Sequence, residues 1–193
     1  MKRLLCSLFA VSMLSAGVVR AAPVVYQIDP GHTFPSFEAD HMAGLSVWRG
    51  KFNRTTGTVT FDKAKGSGTL DVSIDVDSID FGHDELNEHA KGADFFDVAQ
   101  FPKATYTGRI EGARKGKPTR VVGQLTLHGI TRPVVLKINA FKCMPHPMLK
   151  REVCGADAYA TLERDQFGIP AGKDWGFDMT VVLRIQVEAV AAE

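Results

Sequence analysis

The sequence predicts an all-β fold, and three patterns lead to that prediction. Hydrophobic and polar residues alternate with a period of two along most of the chain after residue 24, as in strands with one buried face. Turn-forming stretches at 29–31, 63–68, 111–118 and 128–133 separate these runs. The strand–helix rhythm of parallel sheets is missing. We therefore expect an antiparallel meander of about eight strands, stacked as a sandwich or closed into a barrel to cover its edges.

The individual strands follow from where the alternation begins and ends. The first run spans 33–41, and it contains Pro35, which has no N–H to donate to a neighbouring strand. We expect that strand to be an edge, or to be bulged or interrupted at the proline. The remaining runs with the same pattern are 57–61, 70–76, 104–109, 121–127, 134–140, 156–162 and 177–189.

One segment departs from the alternation and predicts a short helix. Residues 84–90 lack β-branched side chains and place acidic groups in the first turn, where they suit the helix dipole. The segment near 83–98 continues through Phe95 and Phe96 and stops at Phe101-Pro102. No internal repeat or low-complexity linker occurs, so we expect a single domain.

The first 21 residues have the features of a cleavable export signal. Basic residues at Lys2 and Arg3 are followed by an apolar stretch that is shorter than a typical transmembrane helix. Cleavage after Ala21 would put Val19 at the −3 place, so we predict a signal peptide at 1–21 and one domain at 22–193. An uncleaved anchor is the alternative.

The balance of basic and acidic residues limits the kinds of binding partner that the sequence predicts. The chain has 23 basic and 22 acidic residues, and the charged residues that would be lost with the leader are all basic. A nearly neutral surface with both signs interspersed gives no electrostatic attraction for nucleic acid or an anionic membrane. We therefore predict no nucleic-acid partner.

Two cysteines remain after the leader, and an isolated pair in an exported protein predicts a disulfide between Cys143 and Cys154. Such a small ring would contribute roughly 3 kcal/mol by the chain-entropy argument. We expect an exposed hairpin tip between them, because Pro145 and Pro147 disfavour continued strand pairing. The alternative is a metal clip made by both cysteines and His146, which needs reduced thiols and a fourth ligand.

The histidines show no catalytic spacing. The motifs H-E-x-x-H, C-x-x-C and G-x-S-x-G do not occur in the sequence. We predict no catalytic residue and no metal site, and structural roles are the favoured interpretation of these side chains. The histidines that we keep as polar candidates near a mouth or a ligand head group are His32, His41, His83 and His89.

Aromatic residues crowd the first half of the mature chain. In a small closed barrel they can fill the interior, or they can line an apolar cavity, since eight strands leave room for one small ligand. Periodicity alone leaves both interpretations open. The candidate wall residues are Phe37, Trp48, Phe52, Phe61, Phe95, Phe96, Phe101 and Tyr106.

Sequence landmarks in a fixed order resemble a known family. They are Asp29-Pro30-Gly31-His32-Thr33 with a strand ending at His41, Gly50-Lys51-Phe52, Ser78-Ile79-Asp80, the segments 88–97 and 101–106, and the stretch from Gly123 to Val134. This series resembles the YceI-like polyisoprenoid-binding proteins over nearly the whole mature chain. Three departures are Thr33 for a serine, Pro35 for a branched apolar residue, and Leu86-Asn87-Glu88 where the family often has an arginine.

The resemblance implies a lipocalin-like closed barrel, exported to the periplasm, that holds a long isoprenoid or related lipid, quinone-like or polyprenyl, along its interior. Burial alone could hold such a chain, at about 0.8 kcal/mol for each CH₂. The implied protein is a carrier and not an enzyme, with the lipid as its ligand and no other cofactor. A transient contact with a membrane protein, and a monomeric or dimeric state, are both compatible with it.

Two other functions stay open on the sequence. One is an enzyme or redox accessory that acts on a lipid quinone, with a metal or haem bound by histidine. The other is a structural or inhibitory exported domain, for which the barrel would be packed solid.

Overall fold

The computed structural model describes residues 22–193, which form one antiparallel sheet of eleven strands and one α-helix. The predicted signal peptide lies outside the described residues. Within residues 22–193, none of the helices has the length and apolar character needed to cross a bilayer. The elements are β1 (Val24–Ile28), β2 (Phe34–His41), β3 (Ser46–Phe52), β4 (Thr55–Asp62), β5 (Ser67–Asp75), β6 (Ile79–Asp80), α1 (Asp84–Lys91), β7 (Lys103–Glu111), β8 (Arg120–Leu127), β9 (Ile130–Pro145), β10 (Glu152–Glu163) and β11 (Thr180–Ala191).

The sheet closes into a barrel because β1 pairs with both β4 and β11. Three positions in the wall are each shared by two consecutive strands: β1 with β2, β3 with β4, and β5 with β6. The long strand β11 pairs with β2 along its first half and with β1 near its end. Eleven strands thus occupy eight positions of an up-and-down barrel, which confirms the predicted fold class. We call the end that carries the β2–β3 turn upper, and the end that carries the β9–β10 turn lower.

The proline in β2 lies where one neighbouring strand ends. Pro35 is opposite Ile185 of β11, whereas pairing with β3 begins only at Ser36. The missing N–H therefore interrupts no ladder on that side. Strand β2 itself runs through Pro35 without a break or a bulge, so of the predicted alternatives the structure shows the edge, on the β3 side only.

The predicted turn at 128–133 is shorter in the structure. His128 and Gly129 both have positive φ, at 51° and 71°, and they alone connect β8 to β9. Such a two-residue turn matches the twist of the flanking strands. Pro133 then pairs with Gln124 of β8, while pairing with β10 begins only at Lys137, so this proline too has a strand on one side only.

The hairpin beyond the cysteines also differs from the prediction, because strand pairing continues to Pro145 opposite Glu152. The His146 N–H donates to the Arg151 carbonyl at 2.6 Å, which makes those two residues a hydrogen-bonded pair. The preceding pair is then a non-hydrogen-bonded one, in which Pro145 needs no N–H. The exposed tip is limited to residues 146–151.

The last strand is shorter than its alternation suggests, since β11 begins at Thr180 and not at 177. Phe177 and Met179 belong to the loop between β10 and β11, although Met179 is buried. At the upper end, β6 pairs with β3 and β7 pairs with β5, which leaves a gap in the wall between β6 and β7. Helix α1 and the segment up to residue 102 connect these strands across that gap.

Candidate functional site

The upper half of the barrel encloses an apolar cavity of about 280 Å³, here called the upper chamber. Its walls come from β2, β3, β5 and β7 to β11, and helix α1 and the β10–β11 loop complete them. The Phe37 and Phe96 rings each lie 5.8 Å from that of Phe52, so aromatic side chains form one continuous wall. The chamber reaches the surface beside half-buried Trp48 and exposed His89.

A second apolar cavity of about 150 Å³, the lower chamber, occupies the other half of the barrel. Every residue that lines it is buried or half-buried. Small side chains on β10 leave this space unfilled, since Cys154, Ala156 and Ala158 stand where larger residues would reach the axis. Its aliphatic lining includes Ile28, Val59, Leu70, Val72, Ile110, Val121, Ile138 and Val187.

The two chambers meet at a waist in the middle of the barrel. The residues that border both are Pro35, Ile74, Tyr106, Leu136 and Ile185. Tyr106 fixes this waist, because its hydroxyl donates to the Val134 carbonyl at 2.8 Å. Burial raises the pKa of Tyr106 to about 12, so the phenol stays neutral and keeps its proton to donate.

A glycine makes room for that tyrosine. A Cβ on Gly123 would lie 2.4 Å from the Thr107 carbonyl oxygen, and 2.6 Å and 2.7 Å from Cζ and the hydroxyl oxygen of Tyr106. A glycine inside a strand marks such a close approach. Gly123 therefore admits both the neighbouring strand and the Tyr106 ring.

The lower chamber ends at a polar cluster. Tyr26 is 1 % exposed, and its hydroxyl donates to the carboxylate of Glu152. The Lys63 ammonium lies 2.7 Å from the same carboxylate, and it is the main cause that lowers the pKa of Glu152. Burial, followed by the bond to Glu152, raises the pKa of Tyr26. Tyr26 therefore borders the lower chamber, and Glu152 and Lys63 hold its hydroxyl from the surface side.

Few polar atoms face the interior. Thr55 is 1 % exposed and borders the lower chamber, and within residues 22–193 its hydroxyl has no hydrogen-bond partner. Arg164 borders the upper chamber and donates to the carbonyls of Ile169 at 2.8 Å and Ala171 at 2.6 Å. Burial lowers the pKa of this guanidinium. Arg164 is the first residue of the β10–β11 loop, so these bonds fix the conformation of the first part of that loop.

Asp40 ties two loops together at the mouth of the upper chamber. Its Oδ1 accepts the Gly44 N–H at 2.7 Å, and its Oδ2 accepts the Asp178 N–H at 2.9 Å. The first bond fixes the β2–β3 turn and the second fixes the β10–β11 loop. A Cβ on Gly176 would lie 3.6 Å from the Cβ of Ala43, so the two loops are adjacent.

Most of the predicted wall aromatics border the interior, and one does not. Those around the upper chamber are Phe37, Trp48, Phe52, Phe95, Phe96 and Tyr106, while Phe61 and Tyr106 border the lower chamber. Phe101 lies elsewhere. Its ring is 4.4 Å from that of His128, and it covers Gly129 of the β8–β9 turn.

The predicted polar histidines fall into two groups. His41 and His89 border the upper chamber. His83 instead begins helix α1, where its Nδ1 accepts the Leu86 N–H at 3.2 Å. His32 lies on the linker between β1 and β2, with its Nδ1 2.8 Å from Asp29, and this hydrogen bond raises its pKa. His83 therefore caps the start of helix α1, and His32 is bonded within the β1–β2 linker.

Sequence reasoning missed several residues of the upper chamber. Leu86 comes from α1, Ile169 and Phe177 come from the β10–β11 loop, and Phe81 follows β6. Leu86, Ile169 and Phe81 lie outside the alternating runs, so alternation could not assign them a face. For Phe177, the run of apolar residues predicted the correct inward direction but not the loop.

The cysteines form the predicted disulfide, with Cys143 directly opposite Cys154 on neighbouring strands. In the part of the chain that the structure describes, one group of potential metal ligands comes together, consisting of these two sulfurs and Glu152. Because both sulfurs are oxidised, they are not available as thiolate ligands. His146 is used within the hairpin tip, where its Nδ1 accepts two backbone N–H groups.

Comparison with solved structures places the fold among known proteins. BcnA of Burkholderia cenocepacia is 24 % identical with a TM-score of 0.65, covering 80 % of this chain and 95 % of that one. A polyisoprenoid-binding domain of Saccharophagus degradans, described as implicated in plant cell wall breakdown, is 16 % identical with a TM-score of 0.61. The match covers 88 % of this chain and 99 % of that domain. At these identities the likeness concerns the fold.

Sequence comparison gives the family. A UPF0312 protein of Pectobacterium atrosepticum is 38 % identical, over 98 % of each chain. Protein YceI of Escherichia coli O6:H1 is 36 % identical, over 70 % of this chain and 71 % of the relative. The family model for the YceI-like domain matches residues 26–189, which is nearly the whole barrel. The chain therefore belongs to the YceI-like family.

Proposed function

We propose that this protein is a periplasmic carrier that holds one long isoprenoid-type lipid along its barrel without changing it chemically. The observation that supports this most directly is the pair of apolar chambers that share a waist. A linear apolar chain fits such a path, because the two cavities lie end to end and almost every lining group is a hydrocarbon.

The gain from burial explains why few polar contacts are needed. Each CH₂ removed from water contributes about 0.8 kcal/mol, whereas a neutral hydrogen bond contributes about 1 kcal/mol net. A chain long enough to enter both chambers would thus be held mainly by its length. The polyisoprenoid-binding description of a solved structure with the same fold supports this choice of ligand.

The disulfide supports the proposed periplasmic location. A bond between Cys143 and Cys154 is typical of proteins in an oxidising compartment. Together with the export signal that the first 21 residues predict, it favours the periplasm. Thiol titration of the unfolded mature protein, before reduction, should detect no free thiol.

Native mass spectrometry of protein purified without detergent tests the carrier function. We expect a protein ion heavier than the mature chain by the mass of one apolar lipid, which organic extraction should release intact. Empty protein from a membrane-containing host would contradict the proposal. An absorbance scan and elemental analysis of the same sample test the redox alternative, which requires a coloured or metal-containing protein.

A further inference from the structure

A group of apolar side chains protrudes around the mouth of the upper chamber. We call this group the mouth rim: Met42, Leu45 and Trp175, which are 55 %, 74 % and 80 % exposed. Met42 and Leu45 belong to the β2–β3 turn, and Trp175 belongs to the β10–β11 loop. Large apolar groups exposed together mark an interaction surface.

The mouth rim is continuous with the interior through aromatic contacts. The Trp175 ring lies 6.5 Å from Phe177, which lies 5.8 Å from His41, and His41 lies 5.7 Å from Trp48. Phe177, His41 and Trp48 all border the upper chamber. An apolar path therefore leads from the most exposed residue of the rim to the cavity.

The two rim loops are held in a fixed relation to each other. The carboxylate of Asp40 accepts one N–H from the β2–β3 turn and one from the β10–β11 loop. Within the β10–β11 loop, the Arg164 guanidinium donates to the Ile169 carbonyl. The rim residues consequently keep their place beside the mouth without packing against the barrel. Their exposure does not result from a loose end of the chain.

Charges around the rim do not favour a strongly charged partner. Lys173, next to Asp174, pairs with Asp165 at 2.6 Å. Asp40 is occupied by backbone N–H groups. The loops thus offer no excess of positive charge for an anionic surface, and tryptophan is suited to the boundary between lipid and water.

We propose that the mouth rim docks on the surface of a zwitterionic lipid bilayer. Its side chains insert at the head-group boundary, and a lipid can then pass between the bilayer and the upper chamber without its apolar chain crossing water. The choice of a bilayer as partner depends on the proposed carrier function, because an apolar ligand requires an apolar phase at the mouth.

Flotation with vesicles made only of phosphatidylcholine, free of isoprenoid lipid, tests this docking. The Trp175→Ser, Leu45→Ser double variant should bind at least tenfold more weakly than the wild type. The matched control is Met148→Ser with Leu149→Ser, whose targets are 80 % and 47 % exposed on the β9–β10 tip at the opposite end. The control should bind within twofold of the wild type, and thermal unfolding checks that both variants are folded.

A second measurement locates the insertion. The chain has two tryptophans, so a Trp48→Phe variant leaves Trp175 as the reporter. Phosphatidylcholine brominated on its acyl chains should quench the emission of Trp175. Absence of quenching, absence of wild-type flotation, or equal loss in the two double variants would each overturn the proposal. Self-association that the rim variant abolishes, with no vesicle binding, would assign the surface to a second copy instead.

The outcome can be separated from that of the carrier function. Protein that floats with vesicles but carries no lipid in native mass spectrometry would contradict the carrier and leave docking intact. Protein that carries lipid but ignores vesicles would contradict docking alone.

Discussion

The two chambers of this barrel differ in how they are built. The lower chamber is surrounded mainly by paired strands, includes a disulfide residue in its wall, and has Tyr26, bonded to Glu152, at its lower end. The upper chamber is closed in part by helix α1 and by two loops joined through Asp40. The lower half is thus fixed by pairing and a covalent link, whereas the upper half depends on a few hydrogen bonds and aromatic contacts. We infer that ligands enter and leave through the upper half.

Removing the disulfide should have the largest effect, and it should act on the lower half. The Cys143→Ser, Cys154→Ser double variant is expected to lose roughly 3 kcal/mol of unfolding free energy, because the unfolded chain regains the freedom of the closed loop. Denaturant unfolding measures this loss. An unchanged free energy of unfolding would contradict the contribution assigned to the disulfide.

Filling the upper chamber should have the next largest effect. Phe96→Trp adds volume inside the aromatic wall, and we expect at least a tenfold loss of bound lipid per protein. His41→Ala removes one polar side chain from the same chamber and should have a smaller effect, as one neutral hydrogen bond contributes about 1 kcal/mol. Lipid extraction from both folded variants makes the comparison. If the histidine variant lost the lipid and the tryptophan variant kept it, a polar contact would decide binding.

Loosening the waist should have a moderate effect. Tyr106→Phe removes the hydrogen bond to the Val134 carbonyl and leaves that buried carbonyl without this donor, at a cost of about 1 kcal/mol in unfolding free energy. Tyr159→Phe is the matched control, since the Tyr159 ring is half-buried with the Lys137 ammonium 5.5 Å from its centre. We expect the control to change stability by less than about 0.5 kcal/mol. Equal losses in the two variants would show that Tyr106 has no special role at the waist.

Acid should weaken the lower end slightly. The Lys63 ammonium and the Tyr26 hydroxyl lower the pKa of Glu152 below its ordinary value of 4.5. A carboxylate whose pKa is lower in the folded than in the unfolded protein stabilises the fold at pH values above the unfolded-state pKa. This stabilisation is lost as the pH falls through the folded-state pKa. We expect less than about 1 kcal/mol from this group, because solvent screens the pair. Glu152→Gln should flatten the pH dependence of unfolding below pH 4.5 by this amount, and an unchanged profile would contradict the assignment.

Much of the barrel could be predicted from sequence because alternation assigns each strand residue a face. Two breaks could not be predicted this way, since the pair 53–54 and the 3-10 helix Val76–Ser78 join segments that each keep the alternating pattern. The break at 29–33 was predicted as a turn, because Asp29-Pro30-Gly31 is a turn-forming sequence. Pro35 did predict a position without a partner on one side, because a missing N–H has a direct structural consequence.

The site was predicted less completely than the fold. Aromatic type identified Phe37, Phe52 and Phe96, which the structure brings together, but it also selected Phe101, which packs on His128. The aliphatic lining of the lower chamber has the same sequence pattern as a filled core. The cavity becomes evident only in the three-dimensional structure, where the small residues of β10 face the opposite walls of the lower chamber and do not reach them.

Binding of isoprenoid alcohols of increasing length, to the wild type and to Ala158→Phe, tests the two-chamber account most directly. Ala158 is 5 % exposed and borders the lower chamber alone, so a phenylalanine there fills that space and leaves the upper chamber unchanged. For the wild type we predict that affinity continues to rise once the chain is longer than the upper chamber. For Ala158→Phe we predict that the rise stops at that length. Two identical curves would show that the lipid does not pass the waist.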